Sequence, residues 1–167
     1  MKNIVVIGGG PGGYAAAFLA ADLGMNVTLV ELEKNPGGVC LYRGCIPSKA
    51  LLHVAKILTD SKEAEQMGIS FGQPKIDLDK VRKFKNSVVE KMTGGLGILT
   101  KQRKINYIQG RGEFLSSSKL KIVKNDGSSQ MLDFEKAILA TGSVITEIPN
   151  LQIQSKRLLN STSALDL

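Results

Sequence analysis

Short runs of β-branched apolar residues alternate along this chain with longer stretches of helical periodicity. Asn3 to Ile7 (NIVVI) has the pattern of a parallel strand buried on both faces. Tyr14 to Leu23 (YAAAFLAADL) reads as a helix stopping at Gly24, and Asn26 to Val30 (NVTLV) as a second strand closing on Glu31. Together they form a βαβ unit of about minimal length. Residues 36–49 read as a loop leading into a helix through about Met67, with Gly68 as its stop. A long amphipathic helix is expected from Asp77 to about Gln102. Its Leu78, Val81, Phe84, Val88, Met92, Leu96 and Leu99 step by three and four, while Lys80, Arg82, Lys83, Lys85 and Lys91 fall off that stripe. Gly94, Gly95 and Gly97 are expected to loosen or bend its last part. The period then becomes two. Lys119 to Ile122 alternates, Asn125-Asp126-Gly127 is a hairpin-type turn, and Met131 to Phe134 alternates back. Lys136 to Ala140 (KAILA) is a further buried strand ending at Thr141-Gly142-Ser143, and Ser161 to Leu165 looks like a helix start with no helix after it.

Composition sharpens this picture. The 167 residues are 43% hydrophobic and 22% charged, which excludes a disordered chain, a collagen-like repeat and a disulfide-stapled miniprotein. The formal charge of +7 is concentrated, since residues 75–124 hold 13 Lys or Arg against 4 Asp or Glu. Without an aromatic stacking platform or a base-reading motif, that stretch is expected to be solvated surface rather than a nucleic-acid contact. No run approaches the roughly 20 apolar residues that span a bilayer. An N-terminal secretory signal is also discounted, because Gly8 to Gly13 interrupts the apolar run. The expected compartment is cytoplasmic, where two cysteines point to free thiols or a working redox pair rather than a structural disulfide.

Two constellations carry chemistry. Gly8-x-Gly10-x-x-Gly13 follows a strand and opens a helix, and Glu31 lies eighteen residues past the last glycine. In such a turn the first glycine permits the bend, the second lets backbone approach a pyrophosphate, and the third lets helix and strand pack closely. The helix N-terminus supplies N–H groups to the phosphates, and an acid ending the second strand accepts the hydroxyls of a ribose. The pattern does not separate FAD from NAD. In the second constellation four residues separate Cys40 from Cys45, which lies at the start of a helix (Ile46-Pro47-Ser48-Lys49). That helix end, with Arg43 and Lys49, suits a reactive thiol. One cysteine pair with a single histidine, His53, offers too few ligands at the wrong spacing for zinc, so no metal site is expected. Spacing alone leaves both a redox pair and two inert thiols open.

The residues around the cysteines go further. Gly37-Gly38-Val39-Cys40-Leu41-Tyr42-Arg43-Gly44-Cys45-Ile46-Pro47-Ser48-Lys49, after a fingerprint ending in Glu31, resembles the flavin disulfide reductases, the class I pyridine nucleotide-disulfide oxidoreductases. Ile46 to Leu52 is most similar to the dihydrolipoyl dehydrogenase branch. Ala140-Thr141-Gly142-Ser143 resembles the motif closing that family's first FAD-binding segment, and Gly110-x-Gly112-x-Phe114 and Ser161-x-x-Ala164-Leu165 match weaker landmarks. Mercuric or glutathione reductase-like enzymes are the related alternative, and a non-catalytic FAD- or nucleotide-binding module is the alternative of another class.

The resemblance implies a fold and a set of roles. The fold would be an α/β, Rossmann-like FAD-binding domain over residues 1–148. It would have a parallel sheet and a small antiparallel β-meander at about 105–135, with 149–167 beginning a linker toward an NAD domain. Cys40 would be the interchange thiol and Cys45 the charge-transfer thiol, paired as a redox disulfide. Lys49 would lie by the flavin's reactive nitrogen. Gly8, Gly10, Pro11, Gly13 and Glu31 would hold the ADP half of FAD, joined by Gly38, Gly112, Thr141 and Gly142. The substrate would be dihydrolipoamide or a lipoyl-bearing protein, with NAD as final acceptor and a homodimer as the full-length state. Val39 stands where the family usually carries Thr, and Pro36 where Leu or Phe is common. The family's second glycine fingerprint and its His–Glu pair have no counterpart here, so the chain reads as an N-terminal FAD segment, inactive alone. His53 is expected to be a helix-face residue.

Overall fold

A computed structural model describes residues 2–149, 153, 155 and 157–166. The chain divides into two units, Met1–Leu41 with Met92–Val144, and Tyr42–Lys91 with Ile145–Leu167. The first unit carries β1 (Asn3–Ile7), β2 (Asn26–Glu31), β3 (Asn106–Phe114), β4 (Lys119–Lys124), β5 (Ser129–Asp133) and β6 (Lys136–Leu139). They form one sheet in the order β5-β4-β3-β2-β1-β6. β1 pairs in parallel with β2 and β6, and β2 with β3, while β3–β4 and β4–β5 are antiparallel. The parallel sheet and the meander share β3. Its residues Asn106 to Gln109 pair with β2 and Gly110 to Phe114 with β4. The α/β, Rossmann-like architecture expected from the sequence is the one observed.

Strand alternation divides the core between the two faces of the sheet. Val5, Ile7 and Val30 meet Ile108, Leu120, Ile122 and Phe134 from the meander. On the other face Val6, Val27 and Leu29 meet Ala17, Ala20 and Ile105. Both faces of β1 and β2 are therefore covered, which is why their sequences run largely apolar, Thr28 of β2 being the buried polar exception, its hydroxyl accepting from Asn106.

Helix α1 (Pro11–Asp22) starts three residues earlier than its apolar run suggests, because Pro11 occupies the first helical position. Proline's fixed φ and missing N–H suit that position. Gly13, Ala17 and Ala20 form its buried side, small enough for the helix backbone to approach the strands. Arg103 closes the other end of α1: it pairs with Asp22 at 3.0 Å and lies over the Phe18 ring at 4.8 Å.

The remaining helices are α2 (Gly38–Arg43), α3 (Cys45–Glu63) and α4 (Leu78–Gln102). The expected loop at 36–49 is thus partly helical. A 3₁₀ turn, Ala64–Met67, ends at Gly68 with φ 86°, the stop read from the sequence. Another 3₁₀ turn, Ser163–Leu165, stands where only a helix start was visible.

Helix α4 departs from expectation in three ways. It runs uninterrupted through Gly94, Gly95 and Gly97. Gly97 is explained by close approach rather than bending, since a Cβ there would enter the Asn35 side chain. Its apolar stripe is not core: Leu78, Phe84, Met92 and Leu99 are exposed. Its buried side chains are instead Lys85, Thr93 and Thr100. Lys85, expected in solvent, is only 6% exposed because its ammonium donates to the Leu165 carbonyl at 2.6 Å and sits 3.8 Å from Asp166. Other cations of the basic stretch lie beside acids, as in Arg82–Asp79, Lys119–Asp133 and Lys121–Glu113. No helix among the described residues is long and apolar enough to cross a membrane.

Candidate functional site

The C-terminal ends of β1, β2 and β6 bring the predicted nucleotide-binding residues together. Gly8 leaves β1 with φ 99° and donates its N–H to the Val30 carbonyl of β2 at 2.9 Å. Ala140, just past β6, donates to Ile7 at 2.8 Å, which sets Thr141 beside the same turn, and Gly142 follows with φ 71°. Gly10 caps α1 and accepts the Tyr14 N–H at 2.9 Å. Gly13 lies against Gly8, where any Cβ would enter the Gly8 carbonyl. The turn can be this tight only because both positions are glycine.

Glu31 ends β2 with its carboxylate turned back toward the glycine turn. One oxygen accepts the Gly9 N–H at 2.5 Å. The other accepts the N–H groups of Leu32 and Glu33 at 2.6 and 3.3 Å. The carboxylate is therefore fixed beside the turn by three backbone donors. Each carboxylate oxygen also has more than one lone pair, so acceptor capacity remains for ribose hydroxyls.

Gly37 and Gly38 close onto the same turn. Gly37 donates to Gly9 at 2.7 Å. Gly38 has φ 57°, and a Cβ there would lie 2.5 Å from the Gly10 Cα. Helix α2 starts at this contact and carries Cys40, which is half-buried. Gly112, on β3, lies over the Ile7 and Leu120 side chains. Val39 is exposed.

Cys45 and Lys49 belong to the other unit. Cys45 is the first residue of α3, exposed, with Gly44 as cap, and Lys49 follows one turn later, also exposed. Both cysteines stand as thiols. Ser48 donates its hydroxyl to the Gly44 carbonyl at 2.7 Å, fastening the first turn of α3. His53 lies farther along α3, exposed, with its ring 6.4 Å from that of Phe84, a helix-face residue as expected.

The glycine turn fits a dinucleotide. Side chains are excluded where backbone must approach phosphate, and α1 begins there with its unsatisfied N–H groups. Sequence reasoning missed Gly9 and Gly37, which tie Glu31 and α2 to the turn, because a backbone donor leaves no trace in residue type. It also read Asn125 only as a turn residue, although its side chain reaches the Leu32 carbonyl.

The fold and the glycine turn define a dinucleotide-binding domain of Rossmann type, and comparison with known proteins supplies the family. Residues 2–167 match the family described as "Pyridine nucleotide-disulphide oxidoreductase", and the chain belongs to it. Among curated relatives it is 44% identical over 165 residues to the dihydrolipoyl dehydrogenase of Vibrio cholerae and 46% identical to that of Haemophilus influenzae. Each alignment covers 99% of this chain and 34% of the relative. The chain thus spans about a third of the length of the curated relatives it matches. The crystal structure of LpdA from Mycobacterium tuberculosis superposes on the whole chain with a TM-score of 0.89 and 26% identity, and 37% of that protein is covered.

Proposed function

We propose that this chain is the FAD-binding, dithiol-bearing portion of an oxidoreductase that oxidises dihydrolipoamide, free or on a lipoyl-bearing protein. The observation that carries the reading is the convergence of the glycine turn, Glu31 and the 140–142 strand end in one place. It sits in a chain that also contains the thirteen-residue stretch from Gly37 to Lys49.

In this proposal FAD would be held through its pyrophosphate by Gly8, Gly10, Pro11 and Gly13 at the start of α1, and through its ribose by Glu31. Backbone at Gly38, Gly112, Thr141 and Gly142 would complete the cradle. Lys49 would stand by the flavin ring. A substrate thiolate attacks the Cys40 sulfur of a Cys40–Cys45 disulfide. The S–S bond breaks, Cys45 leaves as a thiolate, and Cys40 is held in a mixed disulfide with the substrate. The second substrate thiol then loses its proton and displaces Cys40, so the substrate leaves as a cyclic disulfide and the cysteine pair holds two electrons more. FAD, when bound, supplies the acceptor for those electrons, with NAD as the final acceptor. Cys40 must be reachable for this exchange.

We place the activity in the cytoplasm and in a homodimer of the full-length enzyme. The sequence holds one glycine fingerprint and one histidine, so the chain by itself is expected to bind FAD without NAD-dependent turnover. The test is an absorption spectrum of the purified chain with FAD, followed by dithiol titration, alongside Cys45→Ser. Retained flavin with a new long-wavelength band in the wild type, absent in Cys45→Ser, supports the reading. Failure to retain FAD overturns it for this chain, as does NAD-dependent turnover for the inactivity claim.

A further inference from the structure

We infer that Asn125, in the β4–β5 turn, and Tyr107, on β3, are positioning residues that aim the Glu31 carboxylate and so set recognition of a ribose 2′-hydroxyl. The inference rests on the nucleotide-binding reading above. Asn125 donates its side-chain amide to the Leu32 carbonyl at 2.8 Å, across 93 residues of sequence. Tyr107 donates its hydroxyl to the Glu33 carbonyl at 2.8 Å. These carbonyls belong to the segment whose N–H groups hold Glu31.

The mechanical link is a single peptide group. The Leu32 carbonyl and the Glu33 N–H lie in one rigid plane. Asn125 grips the oxygen side of that plane, and the hydrogen side points at the Glu31 carboxylate, 3.3 Å away. Rotating the plane to release one partner releases the other. Tyr107 grips the oxygen of the next peptide and so holds the Glu33 end of the same segment. Asn125 is available for this task because the turn is closed without its side chain. Asp126 accepts the Ser128 N–H and hydroxyl at 2.8 and 2.6 Å, and Gly127 takes the left-handed conformation with φ 84°.

The test measures binding of ADP and 2′-deoxy-ADP to this chain, as wild type, Asn125→Ala, Asn125→Gln and Tyr107→Phe, with amide hydrogen exchange over residues 31–35. The wild type is expected to prefer ADP by about tenfold, the value of one charge-assisted hydrogen bond. Asn125→Ala should lower ADP affinity about fivefold or more and 2′-deoxy-ADP affinity clearly less, since that nucleotide has only its 3′-hydroxyl to lose, and should speed exchange at Glu33. Asn125→Gln, which keeps a donor, should recover part of the preference, and Tyr107→Phe should act in the same direction as Asn125→Ala but less. An unchanged preference in Asn125→Ala overturns the inference. Equal loss for both nucleotides also overturns it, since that is general loosening. A wild type that binds neither ADP nor FAD overturns the underlying nucleotide-site reading instead.

Discussion

The sheet-bearing unit and the helical unit bury their apolar residues to very different degrees. In the first, Val5, Val6, Leu29, Val30, Leu120 and Ile122 are sealed from solvent between helices and meander. In the second, Pro47, Ala50, Ala64 and Lys85 are the buried residues among those described, while Leu52, Ile57, Met67, Ile69, Phe71 and Ile76 are exposed. Complete burial of a large aliphatic side chain contributes about 1.5–3 kcal/mol. The sheet unit collects that contribution many times over and the helical unit hardly at all. The lesson is that one chain can hold both a well-sealed core, on which a precise turn is built, and helices whose apolar residues remain uncovered.

Core truncation gives the largest expected contrast. Leu29→Ala, at a position with no exposed surface, should cost about 2–5 kcal/mol in urea denaturation. Leu52→Ala, at 67% exposure, should stay within about 0.5 kcal/mol. Comparable losses at the two sites would erase the distinction between the units.

Glycine replacement sharpens it at intermediate size. Gly38 and Gly68 both have positive φ, but only Gly38 has neighbouring backbone where a Cβ would go. Gly68→Ala should therefore cost only the left-handed penalty, about 1–2 kcal/mol. Gly38→Ala should cost more and also lose FAD retention, as read by thermal melting and flavin absorbance.

The smallest expected effect lies in the β4–β5 turn. The Ser128 hydroxyl, and then its N–H, hold the Asp126 carboxyl below the ordinary carboxylate range. A depressed folded-state value means the contribution is present above the unfolded value and fades as pH falls through the folded one. An NMR titration should place the Asp126 midpoint below an ordinary aspartate, and Ser128→Ala should move it upward.

Much of the sheet unit was legible because its signals are local. NIVVI and NVTLV are buried on both sides and look it, and Gly8 and Gly13 stand where only glycine fits. The start of α1 was read late because Gly12 and Gly13 are poor helix formers, while Pro11 already sets the first turn. For α4 the three-four spacing identified a helix, but spacing says nothing about which face is covered. Lys85 looked like a surface cation because the carbonyl that accepts its proton lies 80 residues away. Asn125 and Tyr107 escaped for the same reason: their partners are main-chain oxygens distant in sequence, which no motif records.

The two margins of the sheet have different consequences for handling the chain. β5 mixes Ser129, Gln130 and Asp133 with Met131, 58% exposed, and only the charge of Asp133 discourages strand addition there. Among the described residues β6 has one strand neighbour, and after Lys136 it offers Ala137, Ile138 and Leu139, the last 68% exposed. An unpaired apolar edge is a template for intermolecular pairing. Self-association of the purified chain should therefore begin along β6, and a lysine at Leu139 is the substitution that would keep concentrated solutions clear.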